Sequence, residues 1–287
     1  MKKYKICKIL LVILAVFLCV AFYELLGIHV AYKKQPEVSN TTKKETKNGS
    51  WNECSENTER AVIIEKNPEA LLQRVRLIKN AKKEIILSTF AFQSDESGKL
   101  ILGALHDAAD RGVHIRLLVD GMESWIDMEG NPYFYGLSSH ENVEIKLYNK
   151  ANPLKPWKMM GRMHDKYLIA DGKRYILGGR NTYNYFLGDF PGHKNYDRDV
   201  LVVCDEPEKE NSVNQLLEYF ETIWEQEDSG YFHDNKKLAN RKSVKNAVLE
   251  LQNGYQKYFE ENKERICDTD YTDETFETEK IALVSNP

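Results

Sequence analysis

Apolar strands alternate with helices from Ala61 to Tyr148, and this alternation restricts the possible folds more than any other feature of the chain. Short apolar runs typical of buried strands lie at 61–65, 84–92, 113–119 and 143–148, with helical patterns at 67–81 and 100–111. We expect Asn67 and Pro68 to open the first helix as N-cap and first-turn residue, and Gly112 to close the second. The pattern predicts an α/β domain with a mixed or parallel sheet covered by helices on both faces.

Helical patterns also occur in the C-terminal third of the chain. One helix is expected at 207–226, and a longer polar helix at 236–265 with Leu249 and Tyr258 among its few apolar contacts. The last residues, 280–287, have an apolar run followed by Asn-Pro, as do residues 61–68. We therefore assign 53–230 to the α/β domain, 231–279 to a helical connector, and 280–287 to the start of a truncated second repeat.

The N-terminus is predicted to be a membrane anchor. Four lysines precede an apolar run, and residues of about 9–31 are together long enough to cross a bilayer, which takes roughly 20 residues. A cleaved signal peptide would need small residues before a cleavage point, and a buried helix would not explain the basic flank. We expect an uncleaved signal-anchor in residues 1–32 and the folded domain outside the cytoplasm. Lys33 and Lys34 put positive charge on the other side too, so charge alone leaves the orientation open.

Residues 33–52 are polar and lack periodicity, which predicts a flexible stalk between the anchor and the domain. Beyond the anchor the chain has three cysteines, an odd number, so a complete set of intramolecular disulfides is excluded. Cys54 and Cys267 are the pair to test. The sequence shows no Cys/His spacing typical of a zinc site, and we expect neither a metal nor a cofactor.

The segment 162–181 has the residues that predict chemistry. His164 and Lys166 are two apart, so on a strand their side chains share a face. Asp171 and Gly172 are typical of a tight hairpin turn. Two glycines follow at 178 and 179, where the backbone can approach a ligand, and they present Arg180 and Asn181. An imidazole, an ammonium and an amide beside such a pocket suit a phosphate diester.

This arrangement, His164-x-Lys166-x4-Asp171-x6-Gly178-Gly179-x-Asn181, resembles the HKD motif of the phospholipase D superfamily in its cardiolipin synthase-like form. The resemblance covers most of residues 61–226, including the acidic segment that ends in Asp199.

The resemblance implies a metal-independent, two-step exchange of phosphodiesters through a phosphohistidine on His164. Lys166 and Asn181 would bind the phosphate together with Gly179, and Asp171 would orient or neutralise its neighbours. Asp199 would hold the His164 ring in its working tautomer. A lone histidine or lysine on a strand is usually structural, so the prediction depends on the set as a whole.

The sequence departs from the family because it contains one such motif, whereas the family's reaction needs two. One histidine attacks and the other protonates the leaving alkoxide. The segment at His233 has the wrong spacing for a second copy. Two alternatives remain: the chain is the N-terminal half of a longer two-motif protein, or it pairs two identical half-sites as a homodimer.

Three functions compete at this stage. A membrane-anchored phospholipase or phosphatidyltransferase acting on phospholipids fits the anchor and the motif. A single-motif dimeric nuclease is the second, although a net charge of −4 gives no basic stripe and makes nucleic acid an unlikely partner. The third is an inactive half-domain or membrane-bound interaction module. Whether the first reaction is hydrolysis or transfer depends on whether water or a lipid hydroxyl resolves the intermediate.

Overall fold

The computed structural model describes residues 2–33, 43, 59–158, 160–204, 211–233, 235–279 and 281–284. These residues belong to two units. The smaller unit is made of Met1–Ser50 and Ala151–Arg162, and the larger of Trp51–Lys150 and Met163–Pro287. Cys54 and nearly all of the expected stalk at 33–52 lie outside the described residues, so the proposed pairing of Cys54 with Cys267 stays a prediction.

The smaller unit contains one long apolar helix, α1 (Lys2–Lys33). Within the described residues, Tyr4–Lys33 is the one stretch long and apolar enough to cross a membrane, and a signal sequence would meet the same criterion. Its apolar side chains are exposed along its length, as those of a lipid-facing helix are. Near its C-terminal end, the Tyr23 hydroxyl donates to the Leu154 carbonyl over 3.0 Å. A side chain at Gly27 would collide with Pro156.

The described strands of the larger unit form one mixed sheet with the order β8-β4-β3-β2-β5-β6-β7-β1-β9. Strands β2, β3 and β4 are parallel, and the other neighbours are antiparallel. The strands are β1 (Glu59–Ile64), β2 (Glu84–Thr89), β3 (His114–Asp120), β4 (Val143–Tyr148), β5 (Lys166–Ala170), β6 (Arg174–Gly178), β7 (Asp199–Cys204), β8 (Ser229–Tyr231) and β9 (Phe276–Glu277).

Helices cover both faces of this sheet, as the sequence predicts. They are α2 (Asn67–Asn80), α3 (Glu96–Asp110), α4 (Gly121–Asp127), α5 (Pro132–Ser138), α6 (Ser212–Trp224), α7 (Lys242–Glu261) and α8 (Lys263–Cys267). Alternate residues of β2 enter different cores: Ile85 and Leu87 pack with α2, α3, α5 and α7, whereas Ile86 packs with α6. The fold class is therefore confirmed as α/β with a single mixed sheet between helical layers.

Local expectations are confirmed for most elements. Strand β4 has the expected bounds, and the other three expected strands agree within three residues at each end. Gly112 has φ of +88°, which is the left-handed conformation expected after a helix. Asp171 (φ 55°) and Gly172 (φ 62°) form the expected hairpin turn between β5 and β6.

The start of α2 differs from the expectation. Lys66 is the N-cap and Asn67 is the first helical residue, with Pro68 after it. The Asn67 side chain does not cap the helix because it has tertiary partners: its Nδ2 donates to the Asn195 carbonyl, and its Oδ1 accepts from Arg180 Nε.

The expected long helix at 236–265 is wrong, because the chain breaks it into the 3-10 helix Lys236–Asn240, α7 and α8. At the second break, Asn262 Nδ2 donates to the Tyr258 carbonyl over 2.9 Å, a side-chain bond that competes with continued helix. Leu249, expected to be an apolar contact, is 57% exposed. The inward face of α7 is formed by Val244, Ala247, Leu251, Tyr255 and Phe259.

The C-terminal residues Ile281 and Leu283 pack against the core beside α6, and the Leu283 amide donates to Gln215 Oε1 over 2.8 Å. Residues 281–284 have no regular secondary structure, and 285–287 lie outside the described residues. That this segment begins a second repeat stays a prediction.

The close packing of α3 on α7 generates a stability prediction. A Cβ atom at Gly103 would lie 2.7 Å from both the Leu251 carbonyl oxygen and Tyr255 Cβ, so Gly103→Ala should destabilise the fold by roughly 1–3 kcal/mol. Gly254, in α7, has no atom within 4 Å of its added Cβ. Gly254→Ala is the matched control and should stabilise by about 0.5–1 kcal/mol. Thermal unfolding of both variants measures the difference, and equal melting temperatures would contradict the packing.

Candidate active site

The residues of the candidate motif gather at one edge of the sheet. The parallel strands β2, β3 and β4 end there, and β5, antiparallel to β2, begins there with Lys166 opposite Thr89. Strand β6 ends at the same edge with Gly178 opposite Asp199 of β7. Antiparallel pairing thus brings together one end each of β2, β5, β6 and β7, although these strands are far apart in sequence.

Lys166 is almost buried, with 7% of its surface exposed. Its Nζ donates to the His164 carbonyl over 2.7 Å and lies 5.4 Å from the centre of the Phe90 ring. Burial lowers the pKa of Lys166, while the negative charges of Asp165 and Asp197 oppose that shift. The ammonium is therefore held in a place where few water molecules can solvate it.

His164 lies just before β5 and is exposed. Its ring contacts Phe90 edge-on, with centroids 4.7 Å apart and planes at 65°. Phe90 thus contacts both members of the His-x-Lys pair. The sequence analysis missed Phe90, because an apolar run does not show that the residue just after its strand will place a ring beside a histidine 74 positions later.

Asn181 is brought to the same place by the segment that follows β6. Its Oδ1 accepts from the Ala91 amide over 3.2 Å, and Thr182 bridges to Phe92 in parallel. The side chain is nearly buried. Because Oδ1 is already engaged by the backbone next to Phe90, the amide NH2 is the part of Asn181 that remains suited to donate to an anion.

The two glycines make room for carboxylates of the protein itself. A Cβ at Gly178 would lie 2.1 Å from Asp199 Oδ1, and a Cβ at Gly179 would lie 2.1 Å from Asp197 Oδ2. The Gly179 amide donates to the Arg198 carbonyl over 3.3 Å. The expected contact of Gly179 with phosphate therefore competes with an internal hydrogen bond.

Asp199 is fully buried between two arginines. Its Oδ2 is 2.9 Å from Arg74 Nη1 and 3.3 Å from Arg180 Nη1. Arg180, expected to be presented to a ligand, is instead buried and donates to the carbonyls of Ile64 and Glu65 at the end of β1. The charges of Asp199 are thus compensated within the fold, a setting that favours a structural role over contact with His164.

Asp197 is a second acid at this edge, two residues before Asp199, and the sequence analysis did not single it out. It is partly exposed, lies against Gly179, and its charge opposes the lowering of the pKa of Lys166 by burial. Asp197 lies just before β7 and Asp199 is its first residue. That Asp199 holds the His164 ring stays a prediction. Which of two nearby acids reaches the site depends on where β7 begins.

Asp171 lies at the other end of β5 from Lys166. Its carboxylate accepts from the amides of Lys82, Lys83 and Glu84, at 2.7 to 3.1 Å, in the turn that leads into β2. The structure does not bring Asp171 to His164. Its contacts fix the pairing of β2 with β5 instead, and this pairing sets Lys166 opposite Thr89.

Among the described residues, no group of three or more histidine, cysteine or acidic side chains is arranged to hold a metal ion. The side chains gathered at this edge are an imidazole, an ammonium, an amide and carboxylates.

The family described as "Cardiolipin synthase, PLD-like domain" matches residues 74–224, just over half of the chain. The chain belongs to the phospholipase D superfamily. Its match falls on the cardiolipin synthase-like branch and spans α2 to α6, with the whole candidate site inside it.

Two curated proteins are similar to this chain in sequence. An uncharacterized protein of Helicobacter pylori strain J99 is 31% identical over 212 residues, covering 69% of this chain and 39% of that protein. Cardiolipin synthase C of Escherichia coli K12 is 29% identical over 171 residues, covering 55% of this chain and 34% of that protein. The phospholipase D-like chain therefore spans less than half the length of these relatives.

A solved structure shows the same fold at low sequence similarity. Phosphatidylserine synthase of Haemophilus influenzae Rd KW20 superposes with a TM-score of 0.50 and 17% identity. The superposition covers 77% of this chain and 48% of that one.

The different settings of Asp197 and Asp199 give a prediction. Asp199→Asn should destabilise the phospholipase D-like domain by roughly 3 kcal/mol, because it leaves the buried guanidinium groups of Arg74 and Arg180 without their carboxylate. Asp197→Asn, an isosteric change at a partly exposed acid two residues away, is the control and should stay within about 0.5 kcal/mol of the parent. Denaturant unfolding followed by tryptophan fluorescence measures both, and similar midpoints would contradict the buried-charge account.

Proposed function

We propose that this chain supplies one half of a site that cleaves or transfers phosphodiesters of phospholipids through a phosphohistidine on His164. The placement of His164 and Lys166 against one aromatic ring is the observation that carries the proposal. Attack on an anionic phosphorus centre requires a nucleophile and a nearby cation, and here both contact the ring of Phe90.

In the proposed reaction, Lys166 and the NH2 group of Asn181 hold the non-bridging oxygens of the phosphate. A ring nitrogen of His164 attacks phosphorus, the phosphorus–nitrogen bond forms, and the bond to the leaving alkoxide breaks. Water then releases the phosphate as a monoester, or a lipid hydroxyl accepts it as a new diester. The charge that builds on the oxygens is stabilised by an ammonium that is poorly hydrated, which strengthens the interaction.

The leaving alkoxide needs a proton, and we assign this proton to a second His-Lys half-site. The sequence contains one His-x-Lys pair, so the second comes from another copy of the chain or from a further repeat. Asp197 is the acid placed to support the cluster around Lys166. Asp171 and Asp199 support the site indirectly. Asp171 fixes the pairing of β2 with β5, and Asp199 pairs with Arg74 and Arg180.

The apolar helix α1 supports a lipid substrate over a soluble one. We propose that α1 anchors the chain in a membrane as a single pass, with the catalytic domain on the extracytoplasmic side. Tethering raises the effective concentration of the site at the bilayer surface, whatever the intrinsic affinity for a headgroup. The exchange needs no metal in this proposal, because Lys166 and Asn181 provide the electrophilic groups.

Substitution at the site tests the chemistry. In the full chain in detergent, His164→Ala should lower phosphodiester turnover by at least about a thousandfold, and Lys166→Ala by roughly 100- to 1000-fold. His114→Ala is the control, because His114 pairs with Glu84 and Glu144 at the opposite edge of the sheet. Release of headgroup from phosphatidylglycerol vesicles is the assay. Unchanged turnover in His164→Ala would contradict the phosphohistidine.

Single-stranded DNA serves as the competing substrate in the same assay. Cleavage of DNA with a steep loss of affinity between 50 and 200 mM salt, and no action on vesicles, would indicate a nuclease instead. Action on neither substrate by a well-folded chain would favour an inactive half-domain.

The half-site requirement predicts that activity follows self-association. Light scattering of the full chain in detergent should give a dimer in the fractions that are active, because each site needs two histidines. Mixing His164→Ala with wild-type chains should then lower activity more steeply than dilution alone. A fully active monomer would contradict the need for a second half-site.

A further inference from the structure

We propose that Asp165 and Tyr219 are a positioning pair, which fixes His164 and Lys166 in the geometry that binds and attacks a phosphate. This inference rests on the function proposed above. Asp165 lies between His164 and Lys166 in the sequence. Tyr219 lies 54 positions further along the chain, in α6.

The segment that holds His164 is not part of the sheet. Residues 163–165 have no regular secondary structure, and β5 begins only at Lys166. Ladder hydrogen bonds therefore do not fix the backbone at His164, and a nucleophile in such a segment needs other contacts to stay in place.

Those contacts come from the residues on either side of His164. The Met163 amide donates to Asp120 Oδ2 over 3.0 Å, and the Met163 side chain is buried beside Ser88. On the other side, the Tyr219 hydroxyl donates to Asp165 Oδ2 over 2.9 Å. Met163 and Asp165 thus attach the segment to the α6 side of the sheet, while His164 and Lys166 contact Phe90.

Asp165 is a carboxylate in a poorly hydrated place. Burial raises the pKa of Asp165, and the Tyr219 hydrogen bond and the charges of Lys166 and His164 oppose the rise. Burial and the nearby Asp165 raise the pKa of Tyr219 in turn, so its hydroxyl keeps the proton that it donates. The pair is therefore a charge-assisted hydrogen bond between a sheet edge and a helix.

The charge of Asp165 also acts on Lys166. It opposes the burial that lowers the pKa of Lys166, and Asp197 is the other acid with this effect. The other titratable groups that act on this pair are Tyr167 from β5, Tyr148 from β4 and His164, and Glu221 from α6 acts on Tyr167. Asp165 is the acid that lies between His164 and Lys166 in the chain.

Two consequences follow if the pair is lost. The His164 segment gains freedom, which lowers the rate of attack more than it weakens substrate binding. When the Asp165 charge itself is removed, Lys166 loses a negative neighbour, so the pKa of Lys166 falls further and its ammonium is lost at a lower pH. A residue that only stabilises the fold would produce neither effect in the protein that remains folded.

Tyr175 is the matched control. It is a buried tyrosine of the same core, and it shares a hydrogen bond of the same length, 2.9 Å, with Ser212 at the start of α6. It lies in β6, paired with Ile169 and Val202, away from the edge where His164 stands. Tyr175→Phe therefore removes an equivalent tyrosine bond to α6 without touching the candidate site.

The experiment uses the full chain in detergent, with inorganic phosphate as the probe and calorimetric binding from pH 6 to 10. Asp165→Asn should move the alkaline loss of phosphate affinity to lower pH, weakening binding at pH 9 by roughly three- to tenfold relative to wild type. Tyr219→Phe keeps the Asp165 carboxylate, so its loss of phosphate affinity should occur at the same pH as in wild type. In both variants, kcat for phosphodiester turnover should fall by roughly ten- to hundredfold, with a smaller change in KM. Tyr219→Phe removes one oxygen atom, so it keeps the test available should Asp165→Asn not fold.

A kcat in both variants equal to that of Tyr175→Phe would overturn the positioning role. Loss of phosphate affinity in Asp165→Asn at the same pH as in Tyr175→Phe would overturn the effect on Lys166. Lys166→Ala separates this outcome from failure of the proposed function. Phosphate affinity that falls in Lys166→Ala but not in the pair variants would leave the site in place and reject the pair. Affinity unchanged in Lys166→Ala would reject the phosphate site and the pair together.

Discussion

The carboxylate of Asp199, buried between Arg74 and Arg180, connects three parts of the domain that are distant in sequence. Arg74 belongs to α2, Arg180 follows β6, and Asp199 opens β7. Each charge alone would be costly in this interior, so the three groups are stable only when the elements that contain them are assembled together. Through Arg180 the cluster also reaches the last carbonyls of β1, which sets the entry into α2.

The candidate site depends on this cluster without containing it. Gly178 leaves room for Asp199, and the next residue, Gly179, leaves room for Asp197, which lies on the side of Lys166. Asn181 then meets the backbone after β2, where Phe90 contacts His164 and Lys166. A buried ion cluster and an exposed reactive edge are therefore built from adjacent residues, and the rigid part orients the reactive part.

Two kinds of contact serve the reactive groups in different ways. Asp171 acts at a distance, because its bonds to three backbone amides fix how β2 and β5 pair. Asp165 and Asp197 act locally, through charges that oppose the lowering of the pKa of Lys166 by burial. The cation is kept charged by these neighbours while little water reaches it, a combination suited to binding an anion.

The sequence by itself determined the α/β class, the strands from Ala61 to Tyr148 and the apolar N-terminal helix, and it singled out His164, Lys166 and Asn181 as a candidate set. These follow from local periodicity and from a spaced motif, which need no knowledge of distant contacts. The tertiary structure decided the rest. It showed that Asp199 pairs with arginines while the charge of Asp197 acts on Lys166, that Arg180 is buried, that Phe90 contacts His164 and Lys166, and that Tyr219 donates to Asp165. The reason is physical: burial and pairing of a charge depend on residues brought close by strand order and helix packing, and a linear pattern does not contain those distances.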